Sequence, residues 1–502
     1  MEENHKRIAR NSAYMYIRMI FIMVVSLYTS RIVLQILGET DFGIYTLVGG
    51  IVSIFTILSG SLSGAVQRFM NIGLGEGDME KTRGYFSQAL TIFSIIFLLF
   101  LALGESVGLW FIDTQLNIPA GREAATMWVY QFSLVAVLFT ILQIPFSGVV
   151  IARERFGFFA MLGIFDVCAR LVVVILMNIY GTPDNLVWYA AAIAVIQISQ
   201  TLAYMVFSLA KFPESVLRFQ WQRGLVGQML SFMGLSFWGN TMVTVTQQGV
   251  NVLLNLFGGA LLNAATGVAR QVNVAVLRMV ECITTPARPQ IIKSYAAGNY
   301  REMILLFEKN SKYSLMLMAV LLFPLVLEAE FVLGVWLKDV PEYAVAFTRI
   351  VLVESFFTVF SYGMSAIIVA TGKLKHMEVY GRFITLAVLP LAYVALKAGA
   401  EPVWALVISM VAQMAYVCYL FTDLSRKVPL DKKGYVKNVL SPVVILVSAL
   451  ALCTIPECIF IEEGVLRFFV VGFTVVFVAV AVIWSFCLDA NEKEWLKKQL
   501  PF

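Results

Sequence analysis

The sequence predicts an all-α polytopic membrane protein, with about fourteen transmembrane helices arranged as two parallel six-helix repeats and two further C-terminal helices. Three observations predict it. Of the 502 residues, 60% are hydrophobic and only 14% charged, against roughly 25% charged in a soluble globular chain. A soluble fold could not hide that much apolar surface, and the mean hydropathy of +0.82 agrees. The lysines and arginines alternate between loops as the positive-inside rule requires. The chain also resembles itself half-way along.

A helix needs about 20 mostly apolar residues to cross the hydrocarbon core. Apolar runs bounded by Gly, Pro and charge give spans near 13–37, 43–68, 86–111, 126–150, 157–180, 186–210, 226–257, 262–287, 313–336, 345–371, 378–398, 402–424, 438–456 and 465–488. The first run is longer than the apolar region of a secretion signal and continues into more membrane sequence, so no cleavable signal is expected. With the N-terminus inside, 27 of the 37 Lys and Arg residues fall in inner segments and six in outer ones. Each inner segment outweighs its outer neighbours, so both termini are expected on the cytoplasmic side of the membrane. The outer segments are short, and none could hold a folded catalytic domain.

Self-similarity appears at an offset of about 220 residues. Leu34-Gln35-Ile36-Leu37-Gly38 aligns with Leu254-Asn255-Leu256-Phe257-Gly258, and Arg68 falls on Arg288. One residue further on, Gly77-Asp78 falls on Gly298-Asn299 and Phe86 on Phe307. Six spans separate the copies, so both have the same orientation in the membrane, as in transporters with two halves around a central cavity. The expected organisation is an N-terminal six-helix lobe over 1–210, a cytoplasmic linker over 211–225, a second six-helix lobe over 226–424, and two extra spans with a cytoplasmic tail over 425–502.

Charges at the centre of a membrane helix cost about 2.5–3.5 kcal/mol on the insertion scale and mark candidate sites. The eighth span carries Asn263, Thr266, Arg270, Asn273, Arg278 and Glu281, within an arc of roughly 140° at 100° per residue. The seventh carries Asn240, Thr244, Gln247, Asn251 and Asn255, and the first carries Asn11, Arg18, Ser26 and Thr29 with Tyr14 beside them. Two readings are open. One is a hydrated cavity, formed by Arg18, Asn240, Gln247, Asn251, Arg270, Arg278 and Glu281, whose guanidinium forks attract an anion such as a phosphate. The other is interhelical polar packing, in which Glu281 neutralises Arg278 one turn away. Asp166 and Arg170, four apart on the fifth span, form a structural ion pair in this reading. Glu354 in the tenth span is a candidate H+ or Na+ coupling group, with a position near the membrane surface as the equal alternative.

Pro145, Pro286, Pro289, Pro324 and Pro390 interrupt spans, and the run from Ser59 to Gly64 offers a small-residue face for close helix packing or a flexible inner gate. The six cysteines show no metal-ligand spacing and read as packing residues, with a Cys453–Cys458 pair near the outer face as the lesser alternative. Two histidines, His5 and His376, leave no material for a His-based metal site or a catalytic triad in the membrane. No catalytic residue, metal, cofactor or nucleic-acid partner is expected.

Ser30-Arg31-Ile32, Leu37-Gly38 and Asp41-Phe42-Gly43-Ile44-Tyr45, followed by Gln67-Arg68-Phe69 and the Gly77-Asp78 loop, resemble the signature of the polysaccharide-repeat flippases. These belong to the superfamily that also holds the MATE drug exporters and the lipid II flippase. The resemblance extends over the chain in span number, halves and topology. It implies carriage of a polyprenyl-pyrophosphate-linked oligosaccharide from the inner to the outer leaflet, during O-antigen (lipopolysaccharide), capsule or exopolysaccharide assembly, with a polysaccharide polymerase as a partner. By span, Arg18 and Arg270 correspond to the cavity arginines of the related lipid II flippases. The first rival function is a cation-coupled drug exporter of MATE type, which usually wants acidic cavity residues where this chain offers Arg18. The second is a membrane glycan polymerase or ligase, which the short outer loops and the repeat disfavour.

Overall fold

The computed structural model describes residues 2–115, 118, 121–181, 183–337, 339–488 and 492–494. Its described residues form helices joined by turns and short irregular segments, with no β-strand among them. The helices are α1 (Glu2–Glu76), α2 (Met79–Leu103), α3 (Leu109–Gln115), α4 (Glu123–Ala152), α5 (Phe156–Tyr180), α6 (Asn185–Lys211), α7 (Arg223–Ala296) and α8 (Tyr300–Leu327). They continue with α9 (Ala329–Trp336), α10 (Ala344–Thr371), α11 (Gly381–Leu386), α12 (Val388–Lys397), α13 (Val403–Lys427), α14 (Lys432–Tyr435), α15 (Ser441–Phe460) and α16 (Val465–Val482).

Eleven of the described helical stretches are long and apolar enough to cross a membrane. The predicted spans 43–68, 226–257 and 262–287 are not among them. They lie on the second arm of α1 and the two arms of α7. The polar residues of α7 dilute its hydropathy without breaking the helix. Counting both arms of α1 and α7 gives a polytopic helical protein of about fourteen spans. The Ser30-Arg31 motif and the run beginning at Ser59 include side chains outside the described residues, as does the tail with Lys497 and Lys498.

The repeat is visible in the backbone. α1 runs through 75 residues with one non-helical break at Gly38, φ 74°. α7 runs through 74 with one break at Gly259, φ 69°. Only glycine takes such a φ without a steric penalty, so each break falls where a Cβ is missing. The next turns are also matched: Gly77 has φ 72° and Gly298 has φ 73°. Both pairs differ by 221 positions (259 − 38 and 298 − 77). The conformational partner of Gly38 is thus Gly259, one residue beyond the Gly258 that the sequence alignment gives it.

Both turns end their helix alike. Asp78 N–H donates to Gly73 O at 3.2 Å, and Asn299 N–H to Ser294 O at 2.9 Å, the long backbone bond of a glycine-terminated helix. Asp78 then caps α2, accepting from Lys81 N–H at 2.9 Å. The prolines sit inside α4, α7 and α8 without ending them. Pro390 lies just past the break between α11 and α12 at Ala387, where its missing N–H and bulky ring disfavour a continuous helix.

The chain divides into two compact units, residues 1–237 with 292–299, and residues 238–291 with 300–502. In the first, α4 is the central helix, with Tyr130, Leu134 and Phe146 essentially inaccessible. Tyr130 donates to Gly104 O at 2.8 Å, so its hydroxyl is satisfied in the apolar interior. A Cβ on Gly148 would stand 2.7 Å from Val66 Cγ1, the close approach that small residues permit between membrane helices. In the second unit, Val250, Leu254, Leu262, Phe347, Val388 and Leu406 belong to one buried cluster drawn from α7, α10, α12 and α13. The C-terminal α15 and α16 pack on α8, where Arg467 Nε donates to the fully buried Glu328 at 2.8 Å. All six cysteines are free, Cys453 and Cys458 included.

Candidate functional site

In the first unit, the polar residues of α1 meet α5. The Arg18 guanidinium lies over the Phe159 ring, 4.6 Å from its centroid, a cation–π geometry. It passes across Gly163, where any Cβ would overlap its Nε. About one turn earlier on α1, the Tyr14 ring passes Gly157, where a Cβ would stand 3.3 Å away. Two glycines of α5 therefore seat two large polar side chains of α1. Asn11 and Thr29 are buried, and Thr29 returns its hydroxyl to Val25 O at 2.8 Å.

Asp166 and Arg170 face each other at 3.1 Å on α5. Arg170 also feels the hydroxyls of Tyr45 on α1 and Tyr189 on α6, whose rings meet edge-on at 5.1 Å. The pair is thus embedded where three helices join, a relationship that spacing along one helix cannot show.

Two ionic knots secure the ends of this unit. At the α1 break, Arg122 Nε donates to Asp41 at 2.9 Å and Arg122 Nη1 to Asp184 at 2.8 Å. Asp184 also caps α6, accepting from Leu186 N–H at 3.1 Å. Burial works against the Arg122 charge, but the two aspartates prevail and raise its pKa. At the opposite end, the turn between α4 and α5 presents Arg153 and Glu154. Arg153 donates two bonds to the buried Glu214, at 2.7 and 2.9 Å. Glu154 takes Lys293 at 2.6 Å and Arg7 at 2.7 Å. Burial lowers the Lys293 pKa, Glu154 opposes the shift, and the Arg7 and Arg153 charges reinforce it.

In the second unit, the structure divides the polar arc of the eighth span. Asn273 is buried and hydrogen-bonded with Ser355 of α10. The neighbouring Glu354 lies in the field of Arg270, and its Oε2 is buried with no hydrogen-bond partner. Thr266 is buried too and bonds its own helix at Leu262 O, 2.8 Å. Arg278, Glu281 and Asn263 stay exposed. On the first arm of α7, Asn240, Thr244 and Gln247 are exposed, and Asn251 donates to Gln248 at 3.2 Å. Of the predicted site residues, Arg270 therefore approaches Glu354, and Arg278 lies close to Glu281 along the helix.

Sequence reasoning did not single out Glu378. It accepts from Arg382 at 3.4 Å and lies in the field of Arg288. A Cβ on Gly239 would overlap its carboxylate. The available signal was Arg288, the repeat partner of Arg68. No group of three or more potential metal ligands occurs among the described residues.

No protein-family model matches the chain. Over 182 residues it is 24% identical to the "Uncharacterized membrane protein EpsK" of Bacillus subtilis (strain 168), and the matched stretch covers 36% of each chain. The match thus spans about a third of that curated relative. Solved structures resemble it over much more of its length. A MATE in its bent conformation matches with a TM-score of 0.70 at 14% identity, over 84% of this chain and 96% of that one. An outward-facing multidrug resistance MATE family transporter of the MOP superfamily matches at 0.69 and 14%, with the same coverages. A MOP superfamily transporter from Pyrococcus furiosus, whose binding pocket is described as reversed in polarity, matches at 0.69 and 15%, over 84% and 96%. At these identities the likeness is one of fold: the chain has the polytopic helical fold of the MATE transporters of the MOP superfamily.

Proposed function

We propose that the protein is a flippase that moves a polyprenyl-pyrophosphate-linked oligosaccharide from the inner to the outer leaflet of a bacterial inner membrane, for assembly of a cell-surface polysaccharide. The observation that carries this reading is the sign of the charge on α1 and α7. Arg18, Arg270 and Arg278 lie on helix segments predicted to span the bilayer, and cations there attract an anionic headgroup. The polar face of α7, with Asn240, Gln247 and Asn251, supplies donors and acceptors suited to sugar hydroxyls. The lipid tail stays in the bilayer while the headgroup crosses by alternating access. No covalent chemistry is required and no cofactor is assigned. Both termini are cytoplasmic in this reading, each half is a six-helix lobe, and a polysaccharide polymerase takes the product.

Glu354 is the proposed coupling group for H+ or Na+. It is a half-buried carboxylate with one buried, unbonded oxygen, and Arg270 is its electrostatic neighbour. The Asp166–Arg170 pair is assigned a structural role, because its charges satisfy each other at 3.1 Å.

The second reading, a cation-coupled multidrug exporter, is favoured by the fold likeness to a multidrug resistance MATE transporter. Depletion of the protein separates the two. The flippase reading expects lipid-linked oligosaccharide to accumulate on the inner leaflet with drug sensitivity unchanged. Increased drug sensitivity without accumulation would overturn it in favour of the exporter.

A further inference from the structure

The eleven residues that join α6 to α7 follow an irregular path with two distinct parts. Residues 212–215 are anchored in the first unit. Phe212 and Ser215 are buried, and Glu214 is fully buried against Arg153. Pro213 O accepts from Arg83 Nε of α2 at 2.9 Å. From Val216 onward the large side chains turn outward: Leu217 is 51% exposed, Phe219 67% and Trp221 54%. The backbone here is nevertheless tied to α2. Gln220 N–H donates to Thr91 Oγ1 and Gln222 N–H to Gln88 Oε1, both at 3.2 Å. Arg218 N–H donates to Val216 O at 2.8 Å.

The depth of that attachment matters. Gln88 and Thr91 lie nine and twelve residues past Met79, roughly 14 and 18 Å along the helix axis, inside the stretch of α2 apolar enough to span a membrane. Irregular backbone at the membrane is tolerated where its polar groups are satisfied by protein, and polar side chains of α2 satisfy two of these N–H groups. One helical turn beyond Thr91 on the same face, Ile95 is exposed, followed by Leu98 and Leu99. The aromatic strip of the linker is therefore continuous with an apolar face of α2. Lys211, Arg218 and Arg223, all exposed, bracket and interrupt it. Aromatics at headgroup level with cations among them are the combination that holds a segment at an anionic membrane surface.

We propose that residues 216–223 form an interfacial anchor, in which Phe219 and Trp221 enter the headgroup and acyl boundary of the inner leaflet and Arg218 and Arg223 bind anionic lipid headgroups. The anchor would hold the start of α7 at a fixed depth beside α2. It does not depend on which cargo the protein carries.

Photocrosslinking of the full chain tests this. Phe219→p-benzoylphenylalanine and Trp221→p-benzoylphenylalanine variants are reconstituted in vesicles of phosphatidylethanolamine and phosphatidylglycerol, irradiated, and their adducts weighed. Lipid adducts are expected at both positions, with phosphatidylglycerol severalfold above its mole fraction. Arg218→Gln with Arg223→Gln should return that ratio to the mole fraction. The same probe at Asn299, in the turn before α8, should capture no lipid. Adducts to protein, or no lipid adduct at position 219 in monodisperse protein, would overturn the anchor. Lipid adducts without enrichment would overturn the anionic headgroup assignment.

Discussion

Lys293 Nζ donates to Glu154 Oε1 at 2.6 Å, joining the end of α7 to the turn between α4 and α5. The carboxylate also holds Arg7, and Glu154 has a left-handed φ of 57°, unusual for a residue other than glycine. Close by, a Cβ on Gly75 would stand 2.6 Å from Lys293 O and 2.8 Å from Ala296 Cβ. Gly75 and Ala296 differ by the same 221 positions as the glycine pairs (296 − 75), so equivalent points of the two repeats meet here. Removing the Glu154 charge leaves two cations facing a neutral amide. Glu154→Gln should destabilise the protein by about 1–3 kcal/mol and lower its unfolding temperature in detergent. An unchanged melting curve would contradict this account.

Gly163 sets the position of Arg18, because any Cβ at residue 163 would overlap the guanidinium. Gly163→Ala should displace Arg18 from the Phe159 ring, at a typical overpacking cost of about 1–3 kcal/mol, and should reduce transport in vesicles. Gly224→Ala, where the added methyl meets open space, should leave stability and transport near wild type. Equal transport by both variants would show that the seat of Arg18 is irrelevant to function.

The fold class was legible because membrane spans are written in composition: a long apolar run has few alternatives. The repeat was legible through Gly77 and Gly298, because glycine at a left-handed helix end is a local requirement. Gly38 was legible as a repeat residue, but the sequence alignment pairs it with Gly258, one residue before its conformational partner Gly259. Apolar helices give little register information, whereas a positive φ does. The continuity of α1 and α7 across their breaks was not legible, since a glycine between two spans suggests a loop. In sequence the polar arc of the eighth span also forms one surface. Period 3.6 says which residues share a face. It cannot say that Asn273 and Arg270 face Ser355 and Glu354 of α10 while Arg278 remains exposed.

Asp184 has two separable jobs, and its variants should separate them. It pairs with Arg122 at 2.8 Å and caps α6 through Leu186 and Val187 N–H. Asp184→Asn keeps a good cap and loses the ion pair. Asp184→Ala loses both and should cost a further 0.5–2 kcal/mol or about that. Thermal unfolding should therefore rank wild type above Asn and Asn above Ala. Equal losses for Asn and Ala would mean that only the charge matters.

Arg270 and Glu354 test the transport assignment most directly. If Arg270 only compensates the half-buried Glu354, removing either leaves the other charge unpaired where water is partly excluded, which is costly. Arg270→Met with Glu354→Gln should then recover both stability and transport. The proposed function expects a different split. The double variant recovers stability because no charge is left unpaired, yet transport stays low because the anion-attracting and coupling groups are both gone. Glu354→Gln alone should retain exchange of substrate across the bilayer while losing its response to an imposed H+ or Na+ gradient. Measuring unfolding temperature and gradient-driven flux on the same three variants distinguishes the outcomes. Full recovery of flux in the double variant would reduce the pair to packing, and a gradient response surviving in Glu354→Gln would remove Glu354 from coupling.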